Sequence, residues 1–144
     1  MDLELKKSII LHHYQNPKNR GLVKDNEYET INTNSQSCID QVDLQFKIKD
    51  GIISDIRFDG EACAICTSST SIMINTLIGK TLEEAVTIIN SFYNMIEEKE
   101  YDKDILEEAI VYSDISKQPN RKKCALLTWE GAKQIIERRI KNEK

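Results

Sequence analysis

"QVDLQFKIKDGIISDIRF", residues 41–58, decides the fold. Val42, Leu44, Phe46 and Ile48 alternate with polar residues, the period-two pattern of a half-buried strand. Asp50-Gly51 follows, the strongest short hairpin signal. The next residues read as the return strand, with Ile52, Ile56 and Phe58 on the apolar face. Upstream, "EYETINT" (27–33) reads as a modest additional strand, so the sheet is expected to have about three antiparallel strands.

Helices flank this sheet. Leu3 to Gln15 reads as a helix with Leu3, Ile10 and Tyr14 on one side and Ile9 near them. "NPKNRG" (16–21) ends it, because the residue before Pro17 is pushed out of the helical region. A second helix is expected from Ala64 to Ile78, with Gly79 as the residue after its C-cap. Thr81 and Glu84 form a capping box that opens a third, whose apolar positions are Leu82, Ala85, Val86, Ile89, Tyr93 and Ile96. "EEKEYDKD" (97–104) is a polar connection, and residues 105–112 read as a short helix. The last helix is expected over Arg121 to Lys141, with Cys124 in its first turn and Trp129 in the core. This order predicts an α+β class, with helices packed on one face of a short antiparallel sheet, in one domain over 1–144.

The bulk numbers narrow the function. A net charge of −4 argues against nucleic acid as the main partner, which needs a basic face. No stretch approaches the length of apolar chain that crosses a membrane, and "MDLELKKSIILHHY" lacks the order of a signal peptide. The expected compartment is the cytoplasm, where thiols stay reduced. The four cysteines therefore point to metal or sulfur chemistry rather than disulfides.

Three of those cysteines flank the hairpin. Cys38 precedes its first strand, while Cys63 and Cys66 follow its second. A hairpin is entered and left at one edge, so Cys38, Asp40 and Cys63 are expected to cluster at its open end. Cys124 comes from far along the chain. A helix N-terminus and the nearby Arg121 would both lower its thiol pKa. Three thiolates and a carboxylate suit tetrahedral Zn²⁺. Two other readings stand beside this one: small buried hydrophobes, as cysteines often are, and a Cys63/Cys66 redox pair, which here lacks the usual βαβ setting. His12 and His13 are adjacent on a helix, so at least one is expected to be exposed. "TSSTS" (67–71) lacks the glycine and lysine of a phosphate-binding loop, and its small side chains suit close helix packing.

"HHYQNPKNRG", "SCID", "GEACAIC" and "RKKCALLTWEG", in this order, resemble the U-type iron–sulfur assembly proteins, most closely the SufU branch. The resemblance runs from about Leu3 to Ile140. It implies an IscU/SufU-like fold and a zinc ion held by Cys38, Asp40, Cys63 and Cys124. It implies a zinc-dependent sulfur acceptor, or sulfurtransferase, which takes persulfide sulfur from a PLP-dependent cysteine desulfurase of SufS type. A histidine of that desulfurase would free Cys38 as the nucleophile, and the sulfur would pass to downstream Fe–S assembly scaffold proteins. Arg121 would stabilise the thiolate or persulfide. The alternative is a scaffold that assembles and transfers a [2Fe–2S] cluster on the same cysteines, with Cys66 available as a fourth thiolate. Lys123, where the IscU branch has histidine, and the long stretch around "EEKEYDKDILEEAIVYSD" favour the SufU branch. Two departures stand out: Ile39 replaces the usual glycine, and Cys66 replaces a small residue and is expected to be inert.

Overall fold

Asp50 and Gly51 both take positive φ, 54° and 74°, so the hairpin closes on a two-residue turn whose twist matches the strands. The computed structural model describes residues 1–34 and 40–142. Within them β1 (Tyr28–Asn34), β2 (Gln41–Lys49) and β3 (Ile52–Glu61) form an antiparallel sheet in the order β1-β2-β3. Val42, Leu44, Phe46 and Ile48 are all buried, as their alternation predicts.

The return strand differs at one point. Lys47 pairs with Asp55 but Ile48 pairs with Ile53, which leaves Ser54 as an extra residue. This bulge, where the Ser54 hydroxyl donates to the Lys47 carbonyl, shifts the alternation. Ile53, Ile56 and Phe58 therefore face the core, and Ile52, expected there, is exposed.

Helix α1 (Leu3–Gln15) has the predicted bounds but not the predicted face. Leu3 and Tyr14 are exposed, Ile9 and Ile10 are partly buried, and His13 is buried instead. Its Nδ1 lies 2.7 Å from Ser71 Oγ and its Nε2 3.1 Å from Glu108 Oε1, so both polar ring atoms have partners. His12 is exposed. The turn after α1 lies against β3, where Gly21 N–H donates to the Phe58 carbonyl and Phe58 N–H to that of Asn19.

Helices α2 (Ala64–Leu77), α3 (Leu82–Ile96) and α4 (Pro119–Asn142) complete the layers, with short 3-10 turns at Lys103–Ile105, Glu107–Tyr112 and Ile115–Lys117 in place of one short helix. The Thr81–Glu84 capping box forms as read. Leu82, Ala85, Ile89 and Ile96 of α3 are buried as expected; Ile88, Phe92 and Met95 also join the core, while Val86 and Tyr93 are only partly buried. Helix α4 starts at Pro119, suited to a first helical position because proline has no N–H to leave unpaired. Helices α2 and α4 pack on the sheet. Gly131 of α4 lies so close that a Cβ there would sit 2.4 Å from Thr33 Cγ2 of β1 and 3.2 Å from Leu44 Cδ1 of β2. Trp129 is fully buried and stacks on Phe92 with ring centroids 3.9 Å apart. No helix of the described residues is long and apolar enough to cross a membrane.

Candidate metal centre

The hairpin ends where its pairing predicts. Gln41 faces Glu61, so Asp40 and the residues after Glu61 emerge side by side. Gly60, at φ 138°, permits this, since a Cβ there would meet the Gln41 carbonyl oxygen at 2.1 Å. Cys63 then becomes the N-cap of α2, its sulfur accepting from the Cys66 N–H at 3.4 Å. Asp40 is 1% exposed. Its Oδ1 accepts from the Cys63 N–H at 2.7 Å, and its Oδ2 lies 3.5 Å from Cys63 Sγ.

Cys124 reaches the same place from α4. One ligand atom each from Asp40, Cys63 and Cys124 lie within 4.8 Å of one another. Tetrahedral zinc with sulfur and oxygen ligands holds its donors about 3.6–3.8 Å apart. Two thiols and a carboxylate at these separations fit such an ion. Cys38 and Ile39 lie outside the described residues.

The expectation that Cys124 has a lowered pKa is reversed. Its thiol is pushed up, first by burial, then by hydrogen bonding to and charge on Cys63, then by Asp40. Because α4 begins at Pro119, Cys124 sits beyond the first turn, where the helix terminus has little influence. Partial burial and then two acidic neighbours dominate, and a cation among them would invert that balance. Arg121 is exposed and lines a groove of about 330 Å³ with Lys6, Ile10, Ile65 and Val111.

Cys66 is fully buried in the core and, among the described residues, is not one of the three grouped. Neither His12 nor His13 belongs to the group. What sequence reasoning missed lies behind the cysteines. Residues 67–71 are all buried, as expected for close packing, but the hydroxyls of Ser68, Ser69, Thr70 and Ser71 also bond to side chains or backbone of other elements. An unbroken run of five hydroxyl side chains inside an otherwise mostly apolar helix was the available signal.

Comparison with known proteins agrees with the geometry. The chain is 35% identical over 128 residues to the zinc-dependent sulfurtransferase SufU of Bacillus subtilis, covering 88% of this chain and 86% of that protein. It is 31% identical over 129 residues to the iron–sulfur cluster assembly scaffold protein IscU of Thermotoga maritima, covering 90% of each. Among solved structures, FiSufU of Fervidobacterium islandicum AW-1, an iron–sulfur cluster assembly scaffold protein of the SUF system, matches with a TM-score of 0.75 and 32% identity, over 85% of this chain and 89% of that one. The model of the NifU-like N-terminal domain matches residues 5–137. The resemblance carried by the cysteine motifs thus extends over nearly the whole sequence, and the chain belongs to the NifU-like N-terminal domain family.

Proposed function

We propose that the chain is a single U-type domain that works in iron–sulfur cluster assembly as a zinc-dependent sulfur acceptor. Cys38 is the acceptor, the donor is the persulfide of a PLP-dependent cysteine desulfurase in the cytoplasm, and the sulfur goes on to downstream assembly proteins. The observation that carries this reading is the meeting of Asp40, Cys63 and Cys124, drawn from a strand end, a helix start and the last helix. The Bacillus subtilis relative, a zinc-dependent sulfurtransferase, supports the same choice.

In the transfer, the thiolate of Cys38 attacks the outer sulfur of the donor persulfide. An S–S bond forms to Cys38, the donor's S–S bond breaks, and the donor cysteine leaves as a thiolate. No oxidant or reductant is consumed. Asp40, Cys63 and Cys124 would hold zinc with Cys38, and the bound ion would keep the thiols deprotonated and arranged. Arg121 supplies a fixed positive charge three residues before Cys124, suited to stabilising a thiolate or persulfide. Asp40 keeps the Cys63 backbone in place through its Oδ1.

A second reading is supported by the relatives named as scaffolds: the same thiolates would carry a [2Fe–2S] cluster as cargo. Metal analysis of the purified protein separates the two. One colourless zinc per chain, together with increased sulfide release when the protein is added to a desulfurase and cysteine, is the outcome expected here. A brown protein absorbing in the visible, with no increase in sulfide release, would replace the first reading with the second.

A further inference from the structure

Cys63 and Cys124 stand on different helices, so their separation depends on how α4 sits against α2. Apolar contacts alone set that poorly, because they are non-directional. Two buried hydroxyls of α2 reach α4. Ser69 Oγ donates to the carbonyl of Ala125 at 2.7 Å and accepts from Trp129 Nε1–H at 2.9 Å. Thr70 Oγ1 lies 2.9 Å from Thr128 Oγ1. All of these residues are fully buried. Ala125 is the residue after Cys124, so the Ser69 bond is fixed to the backbone beside the thiol.

Other hydroxyls of the same helix do different work. Ser68 meets the Tyr112 hydroxyl, Ser71 meets His13, and Thr76 donates to Ile72 within its own helix. Directional polar contacts inside a core specify one arrangement, because sliding by a fraction of an ångström leaves donors and acceptors unpaired. Metal ligands need placement within about 0.5 Å of the productive geometry.

Resting on the reading that Asp40, Cys63 and Cys124 hold a zinc ion, we propose that Ser69 is a positioning residue for that ion. By bridging the Ala125 carbonyl and the Trp129 indole, it sets the register of α4 on α2 and so the distance between the two thiols.

The test compares the full chain with Ser69→Ala, Thr128→Val and Thr76→Ala, each stripped and reloaded. Zinc affinity is read by competition with a chromophoric chelator, and geometry by the visible spectrum of the cobalt(II) form. Unfolding of each metal-free protein is measured alongside. Ser69→Ala is expected to weaken zinc binding ~10–100-fold, the usual cost of losing a group that supports a ligand, and to alter the cobalt bands. Thr128→Val is expected to weaken it by a smaller factor. Thr76→Ala, which breaks a bond internal to α2, is expected to lose stability while keeping zinc affinity within about twofold and the cobalt spectrum unchanged.

Wild-type affinity in Ser69→Ala overturns the proposal, as does an equal loss in Thr76→Ala. If Ser69→Ala does not fold, Thr128→Val decides, and unchanged zinc affinity there overturns it. A wild-type chain that binds neither zinc nor cobalt overturns the metal reading itself and this inference with it. That failure is distinct because it appears before any substitution is made.

Discussion

The backbone N–H of Cys63 donates to Oδ1 of Asp40 across 2.7 Å, so the carboxylate ties the end of one hairpin strand to the start of the other. Asp40 therefore has a structural job as well as a proposed metal-binding one, and substitutions should separate them. Asp40→Ala leaves the Cys63 amide without its partner and is expected to cost ~1–3 kcal/mol in the metal-free protein. Asp40→Asn keeps an acceptor oxygen and should recover most of that loss, yet still bind zinc more weakly than wild type. Urea unfolding in chelator and zinc content per chain check the two effects. Equal instability in both variants would show that the amide bond is not what matters.

Cys38→Ala is expected to abolish sulfur acceptance, measured as sulfide released by a cysteine desulfurase under reducing conditions. Cys66→Ser should retain it per folded molecule. Because Cys66 is fully buried in the apolar core, the new hydroxyl should instead cost stability, ~1–3 kcal/mol. Equal loss of acceptance in the two variants would mean that the cysteines have been given the wrong roles.

Gly131→Ala should destabilise, although glycine to alanine inside a helix normally gains ~1 kcal/mol. The new methyl would meet Thr33 Cγ2 at 2.4 Å, and crowding of this kind typically costs ~1–3 kcal/mol. Adding Thr33→Ser removes that methyl but keeps the hydroxyl that donates to the Val42 carbonyl. The double variant should recover part of the loss, and denaturant midpoints of the four proteins in the cycle would measure the coupling.

Tyr28 donates its hydroxyl to Asp55 Oδ2 at 2.6 Å, and its pKa is pushed up from 10.0 to about 12, by that bond first and then by burial and the Asp55 charge. A folded-state pKa above the unfolded one stabilises the protein while the phenol is protonated. The contribution is therefore complete below pH 10 and lost as pH rises through about 12. Tyr28→Phe is expected to be less stable than wild type near neutral pH, with the gap closing in alkali. Ultraviolet titration should show a phenol ionising near 12 in wild type that the variant lacks. A persistent gap at high pH would remove the Asp55 bond as its cause.

The hairpin and the grouping of Asp40 with Cys63 were legible in the sequence because both follow from local rules. Strict alternation sets the strand face, Asp-Gly sets the turn, and antiparallel pairing sets which ends meet. The bulge at Ser54 broke the alternation that assigned Ile52 to the core, and no turn residue marks it. The buried face of α1 was not legible because His13 is buried by Ser71 and Glu108, partners supplied only by the tertiary fold. Cys124 was placed in the cluster by resemblance rather than by pattern. The same distance in sequence hid the burial, and after it the acidic neighbours, that raise its pKa.

Asp40 and Cys124 are separated along the chain by two strands, two helices and the 3-10 turns between them. Any ligand that grips both must close that entire loop, so it binds the folded chain in preference to the unfolded one. By mass action its free concentration then adds to the apparent stability, by about 2.7 kcal/mol at a hundred times the dissociation constant. Melting temperatures of this protein would therefore be comparable only between samples at the same free metal concentration, and a partly loaded preparation would melt as two populations.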